Sequence, residues 1–245
     1  LSVQLGFNGT FQNTIFTELN PTEDENYYIE TGNISKGTGG YLCRQMVGYA
    51  PYTYYTYWQK YYPDGNPVQN EFVDLDGDGT ITENDRYMTG KSAAPKFYYG
   101  LNMKVTWRNW DFGLNGHGAA GTWVFNDFAS AISTASLDVS SGALPNQARL
   151  VKKTGFTAPN SAQQWYSDYF LENASFFRLD DINLGYTFRG IGRWETDIRL
   201  ALGMQNVFIL TGYSGMDPEV ISENGIDNTV WPRPRTWSFR VNVNF

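Results

Sequence analysis

An all-β chain is what this sequence predicts: the C-terminal strands of a large antiparallel transmembrane β-barrel, with long extracellular loops and short periplasmic turns. Three observations carry the prediction. From Trp237 to Phe245 apolar residues (Trp237, Phe239, Val241, Val243, Phe245) alternate without error with polar ones (Ser238, Arg240, Asn242, Asn244), which puts the two sets on opposite faces of one strand. That strand runs to a terminal aromatic, the habit of a barrel's closing strand, so Phe245 is the candidate barrel-closure residue. The third observation is length. Alternating runs of about 11 residues rise about 36 Å, or about 25 Å when tilted near 45°, the height of an outer-membrane apolar band. Strands of soluble sandwiches stop at about 5–6 residues.

The elements follow in order. Leu1, Val3, Leu5 and Phe7 alternate with Ser2, Gln4, Gly6 and Asn8, so the sequence opens inside a strand and reads as the later part of a longer protein. Residues 10–61 are less legible; two or three strands are expected there, with no fixed register. Phe97, Tyr99, Leu101, Met103, Val105 and Trp107 alternate with polar neighbours. The pattern resumes after Arg108-Asn109 as Trp110, Phe112 and Leu114, which reads as a hairpin with a very short turn. Phe177, Leu179, Ile182, Leu184, Tyr186 and Phe188 form a second strand whose phase slips at Asp180-Asp181, a bulge signal. Its return is Ile198, Leu200, Leu202 and Met204, after a turn near residues 189–194.

Connections alternate in size. The turns at 108–109 and 189–194 are short, whereas 62–95, 120–171 and 212–232 are long and rich in Gly, Asn, Ser and Pro, too long for a compact soluble domain. A short helix is expected within Asn160–Tyr169. In all, the chain is expected to supply about eight barrel strands.

Composition narrows the function. No apolar run approaches the ~18 residues of a membrane helix, and aromatics reach 17%, as girdled strands require. A net charge of −7 offers no basic face for nucleic acid. A single cysteine, Cys43, and a single histidine, His117, exclude an internal disulfide and a His/Cys zinc site.

Asp74-Leu75-Asp76-Gly77-Asp78-Gly79-Thr80-Ile81-Thr82-Glu83-Asn84-Asp85 fits a calcium-loop template. Carboxylates stand at positions 1, 3, 5 and 12, the Thr80 carbonyl at position 7, Thr82 at position 9, and Gly79 at the sharp turn. The expected cofactor is a structural Ca²⁺ held by Asp74, Asp76, Asp78, Thr80, Thr82 and Asp85. Asp85 departs from the usual Glu and is one methylene shorter, which weakens bidentate closure. An acidic surface turn without an ion is the plainer reading.

Tyr52, Tyr54, Tyr55, Tyr57, Trp58, Tyr61 and Tyr62 offer two readings: a sugar-stacking platform centred on Tyr54, Tyr57 and Trp58, or an interfacial aromatic girdle, which is preferred. Catalysis is not expected. His117, Asp111 and Ser130 lack a nucleophile elbow, and Asp180-Asp181, adjacent on a strand, face opposite sides. Arg178, Arg199 and Arg240 lie on polar strand faces and are expected to pair with Asp180, Asp181 or a plug.

Read together in order, several stretches resemble the SusC/RagA-type TonB-dependent outer-membrane transporters of the Bacteroidetes. They are Val47-Gly48-Tyr49, the Asp74–Arg86 acidic loop, Pro95 to Asn102 leading to Trp110-Asp111-Phe112, and Phe177 to Tyr186. Gln205-Asn206-Val207-Phe208, Thr211 to Glu219, and Pro232-Arg233-Pro234-Arg235-Thr236 running to Phe245 complete the set. The resemblance spans nearly the whole chain. It implies that residues 1–245 are the C-terminal segment of a barrel of about 22 strands, with the plug and earlier strands elsewhere. It further implies outer-membrane location, import of oligosaccharides or peptides energised by TonB through the plug, and a SusD-like surface lipoprotein as partner. The alternative is a soluble, calcium-stabilised carbohydrate-binding β-sandwich. A third reading is a complete small eight-stranded barrel.

Overall fold

The computed structural model describes residues 1–19, 27–36, 40–135, 146–157, 159–192, 195–219, 224–228 and 231–244. Among them six long strands form one sheet: β1 (Ser2–Phe11), β2 (Phe97–Trp107), β3 (Trp110–Ala120), β4 (Phe176–Ile191), β5 (Thr196–Thr211) and β6 (Thr236–Asn244). Each pairs antiparallel with the next in sequence, an unbroken meander. The expected eight strands are six, because the patterned residues between 10 and 61 fold elsewhere. Phe245 lies outside the described residues.

Two-residue alternation fixes the register. The β2–β3 hairpin closes Trp107 on Trp110 around Arg108-Asn109, and Arg108 takes the left-handed region at φ 53° to make so tight a turn. β4 and β5, at 16 residues each, rise about 53 Å and overshoot the apolar band. The expected bulge is present: the register slips between Leu179 and Asp181 against both neighbours. Asp180 is the extra residue relative to β3, and the slip restores Ile182 and Leu184 to the face that Leu179 occupies.

The sheet has two unlike faces. One carries Val3, Leu5, Phe7, Leu101, Trp107, Leu184, Leu202, Trp237, Phe239 and Val241, all exposed, with Phe239 at 67% and Leu202 at 50%. Among the described residues no second sheet covers this face, so the sandwich alternative lacks its central requirement, an apolar face packed on another sheet. So large an exposed apolar patch is foreign to a monomer in water. No described helix is long and apolar enough to cross a membrane.

The well-packed core lies off the sheet. Antiparallel strands bring the connections 12–96, 121–175 and 212–235 to one end, where their described residues form a globule. Its core is Ile34, Leu42, Cys43, Tyr54, Tyr57, Phe72, Phe125, Phe156, Tyr166, Phe170, Leu171 and Ile226, every one a loop residue. Residues 27–61 contribute four short strands, Tyr28–Thr31, Cys43–Met46, Thr53–Tyr57 and Gln59–Tyr61, to small loop sheets rather than to the barrel. The expected helix within 160–169 is a pair of 3₁₀ turns, Ala162–Tyr166 and Asp168–Phe170. Helices Asp127–Ile132 and Arg149–Thr154 had no clear periodic signal, being only six residues each.

Hydrogen bonds stitch the three loops together. Tyr54 donates its hydroxyl to the carbonyls of Trp123 and Gly225, at 2.9 and 2.8 Å, joining all three. Gln59, 1% exposed, donates to the carbonyls of Val68 and Glu71 and accepts from Gln164 and Ser167. Every polar atom of this buried amide is therefore partnered.

Candidate functional site

The polar face of the sheet carries the chemistry. Asp111 on β3 and Arg199 on β5 pair through two bonds, Nε to Oδ1 at 2.8 Å and Nη2 to Oδ2 at 2.5 Å. They reach over Gly185 of the strand between them, which is in register with Asp111. Other glycines on this face serve neighbouring amides. A Cβ at Gly6 or Gly113 would sit 2.5 or 2.8 Å from the side chains of Asn102 and Asn183. The result is a wall of flat-lying polar groups over small residues.

Where that wall meets the loops, an ionic network anchors the third connection. Arg178, 3% exposed, contacts Asp217 at 2.5 Å and Glu219 at 3.0 Å, and donates to Asn206 at 2.6 Å. Glu219 also meets Arg233 at 3.1 Å and His117 Nε2 at 3.0 Å; the other ring nitrogen of His117 lies 2.6 Å from Asp180. A carboxylate thus faces each ring nitrogen of His117, an arrangement that suits a doubly donating imidazolium. Asn206, at φ 51°, holds the carbonyl of Arg233 at 2.6 Å.

The expected pairings therefore change. Arg178 binds Asp217 and Glu219, and Arg199 binds Asp111, rather than Asp180 or Asp181. Those two take His117 and Asn115 instead. Arg240 makes no ion pair among the described residues. His117, Asp111 and Ser130 do not converge: Asp111 is engaged by Arg199, and Ser130 is buried in the loops against the Trp165 carbonyl. Asp217, Glu219 and Arg233 were legible only as parts of motif stretches, because their meeting requires the folded loop.

In the acidic loop, carboxylate oxygens of Asp74, Asp76 and Asp78 all lie within 4.8 Å of one another. Gly77 and Gly79 supply the positive φ values, 76° and 83°, that turn the backbone inward. Asp74 accepts from the amides of Gly77 and Gly79, and Asp78 from that of Thr80. This donor set, three close carboxylates on a tight Gly turn, fits a hard cation. Asp85 and Thr82 are engaged by the loop's own backbone. Asp85 is buried, and its two oxygens accept from Leu75 and Thr82 at 2.7 Å each. The Thr82 hydroxyl accepts from Asn84. Together they form a capping box on the short turn Glu83–Asp85. The Thr82 and Leu75 amides hold the Asp85 carboxyl below its usual range against the opposing effect of burial.

The aromatic cluster also changes meaning. Tyr54 and Tyr57 are 0% and 4% exposed and belong to the loop core. They are neither a stacking platform nor a membrane girdle. Burial pushes the Tyr57 phenol up to about 12. Trp58 alone of the three stands open, 50% exposed, 5.7 Å from the ring of Tyr87.

Comparison with known proteins sets these features in context. No protein-family model matches the chain. The TonB-dependent receptor SusC of Bacteroides thetaiotaomicron is 35% identical over 251 residues, covering 98% of this chain and 24% of SusC. The TonB-dependent receptor P3 of Formosa agariphila is 27% identical over 203 residues, covering 74% of this chain and 19% of P3. The chain thus spans about a quarter or less of the length of these curated relatives. Among solved structures, the RagAB peptide transporter superposes with a TM-score of 0.69 at 18% identity, over 98% of this chain and 26% of that one. The open-open state of the RagAB peptide importer gives 0.68 at 15%, over 99% and 26%. At those identities the likeness is one of fold.

Proposed function

This chain belongs to the SusC/RagA type of TonB-dependent receptor, matching a barrel portion of it, and from that premise we propose that it forms closing strands of an outer-membrane barrel that imports oligosaccharides or peptides. The observation that carries the reading is the two-faced meander: an exposed apolar face for lipid and a glycine-lined ionic face for a hydrated lumen. The long loops gather at the outer end, and the short turns face the periplasm. A SusD-like surface lipoprotein covers the loop globule, and TonB acts through a plug encoded elsewhere in the polypeptide. The barrel works by binding and passage; its relatives are receptors and transporters, and no catalytic step is proposed.

We further propose a structural Ca²⁺ in the acidic loop, held by Asp74, Asp76 and Asp78 with the Thr80 carbonyl. The ion relieves the mutual repulsion of the three carboxylates and stiffens the link from the strand Pro67–Phe72 to the strand Arg86–Met88. Asp85 supports that site from behind by pinning the loop backbone.

The function is tested in the full-length receptor. In cells carrying the receptor and its lipoprotein partner, charge-reversing Arg178→Glu should reduce uptake of the nutrient that supports growth. Uptake equal to wild type, with the variant present at wild-type level, contradicts a role for this wall and its anchored loop in passage.

A further inference from the structure

One cavity in the loop globule, of about 660 Å³, is walled by Arg86, Tyr166, Trp165, Gln163, Asn160 and Lys36. Two buried groups on its wall lack the partners that burial demands. Arg86 is 7% exposed, yet no carboxylate lies within ion-pair distance among the described residues. Its guanidinium donates to the carbonyls of Tyr55 and Tyr41 and lies 4.3, 5.8 and 5.0 Å from the ring centres of Tyr55, Tyr57 and Tyr166. Those contacts hold the group in place without a paired carboxylate among the described residues. A buried cation is ordinarily paired. The second group is the Tyr166 hydroxyl. Tyr166 is 7% exposed, and its oxygen makes no hydrogen bond among the described residues, whereas buried hydroxyls of native proteins nearly always find a partner.

A cation without a paired carboxylate and a hydroxyl without a hydrogen-bond partner on one cavity wall suit the same ligand feature, a small anionic oxygen group. Lys36 adds a second positive charge at the rim, and the indole of Trp165 offers an apolar surface for the body of the ligand. Glu83 is the one acid on the wall and stands beyond pairing distance of Arg86, so it disfavours multiply charged anions. We propose that this cavity is a binding site for a ligand bearing a carboxylate, the group that a uronic acid in an oligosaccharide and the free C-terminus of a peptide share. The choice of ligand classes rests on the import reading, but the test reads binding and not uptake, so the two can fail separately.

The experiment uses the full-length receptor with its lipoprotein partner in detergent and four probes. These are a tetragalacturonate, its neutral tetragalactose counterpart, a hexapeptide with a free C-terminus, and the same peptide amidated. The site predicts saturable binding of at least one acid probe and at least tenfold weaker binding of its neutral counterpart. The acid probe that binds identifies the source. Tyr166→Phe is the decisive variant, because the hydroxyl it removes lies against Gly40 without a hydrogen-bond partner among the described residues. It should leave the melting temperature unchanged or raised, and weaken the acid probe about tenfold, the worth of a hydrogen bond to a charged group. Arg86→Gln should abolish binding. If that variant fails to fold, Tyr166→Phe and Lys36→Gln still decide. Absence of binding by both acid probes, equal binding of acid and neutral forms, or unchanged affinity in Tyr166→Phe would each overturn the proposal.

Discussion

Asp111 and Arg199 stand on strands that are not neighbours, yet their side chains meet over Gly185, the residue of the intervening strand that lies between them. A Cβ at Gly185 would come within 2.5 Å of Arg199 Nη2 and 2.6 Å of Asp111 Oδ1. The glycine is therefore a condition of the pair: three strands are clamped by one ion pair because the middle one offers no side chain. Both partners are about three-quarters buried in side-chain area, which places their coupling above that of an exposed pair.

From this follows a coupling experiment. Gly185→Ala should destabilise the full-length receptor by about 1–2 kcal/mol through loss of the pair. In an Asp111→Ala/Arg199→Ala background the same change should cost close to nothing. Urea unfolding in detergent, analysed as a mutant cycle, checks this. An equal cost in both backgrounds means that Gly185 is needed for some other reason.

Arg178 anchors the third loop by a nearly dry contact, with side-chain exposures of 3% and 4% for it and Asp217. Arg178→Ala leaves Asp217 buried and unpaired and should cost about 3–5 kcal/mol. His117→Gln keeps at most one of two carboxylate contacts and should cost less. Hydrogen exchange over residues 212–219 reads both. The expected order is wild type most protected, then the His117 variant, then the Arg178 variant.

Tyr54→Phe separates core from platform. Removing the hydroxyl deletes its bonds to the Trp123 and Gly225 carbonyls, the latter keeping the Phe125 amide as donor, and should destabilise the loop globule by about 1–2 kcal/mol. Trp58→Ala, on the surface, should change stability by less than about 0.5 kcal/mol. Protease resistance of the loops measures the two side by side.

Acid should loosen the acidic loop through Asp85. Its carboxyl is held below the ordinary aspartate value by the Thr82 and Leu75 amides. Its stabilisation is thus fully present above the unfolded value, near about 3.9, and disappears as pH falls through the lower folded value. Exchange at the amides of Leu75 and Thr82, corrected for intrinsic rate, should stay flat from neutral pH to about pH 4 and rise below it. Asp85→Asn should show the raised exchange at every pH. Added Ca²⁺ should slow cleavage in residues 74–85 of wild type, and Asp76→Asn/Asp78→Asn should remove that effect.

The sheet was legible because alternation is a local signal. Phe97–Trp107 and Trp237–Asn244 show their two faces in sequence, and even the slip at Asp180 is visible as a phase error. The loop globule was not legible. Tyr54 and Trp58 look alike in a tyrosine-rich run, and only long-range contacts with residues 123 and 225 bury one and leave the other open. The same holds for Arg178. Its place on a polar face was readable, whereas its partners Asp217 and Glu219 lie 39 and 41 residues away, within a loop whose path periodicity does not encode. Asp85 satisfied a ligand spacing, but the sequence did not reveal that its two oxygens would close the backbone.

The central claim is the assignment of faces, and β6 tests it most directly. Single cysteines at Trp237, Ser238, Phe239, Arg240, Val241, Asn242 and Val243 of the full-length receptor in nanodiscs, spin-labelled and probed with oxygen and an aqueous nickel complex, give lipid and water exposure residue by residue. The account predicts oxygen-rich signals at 237, 239, 241 and 243, and nickel-accessible ones at 238, 240 and 242. Equal exposure along the strand, or the reverse phase, would contradict it.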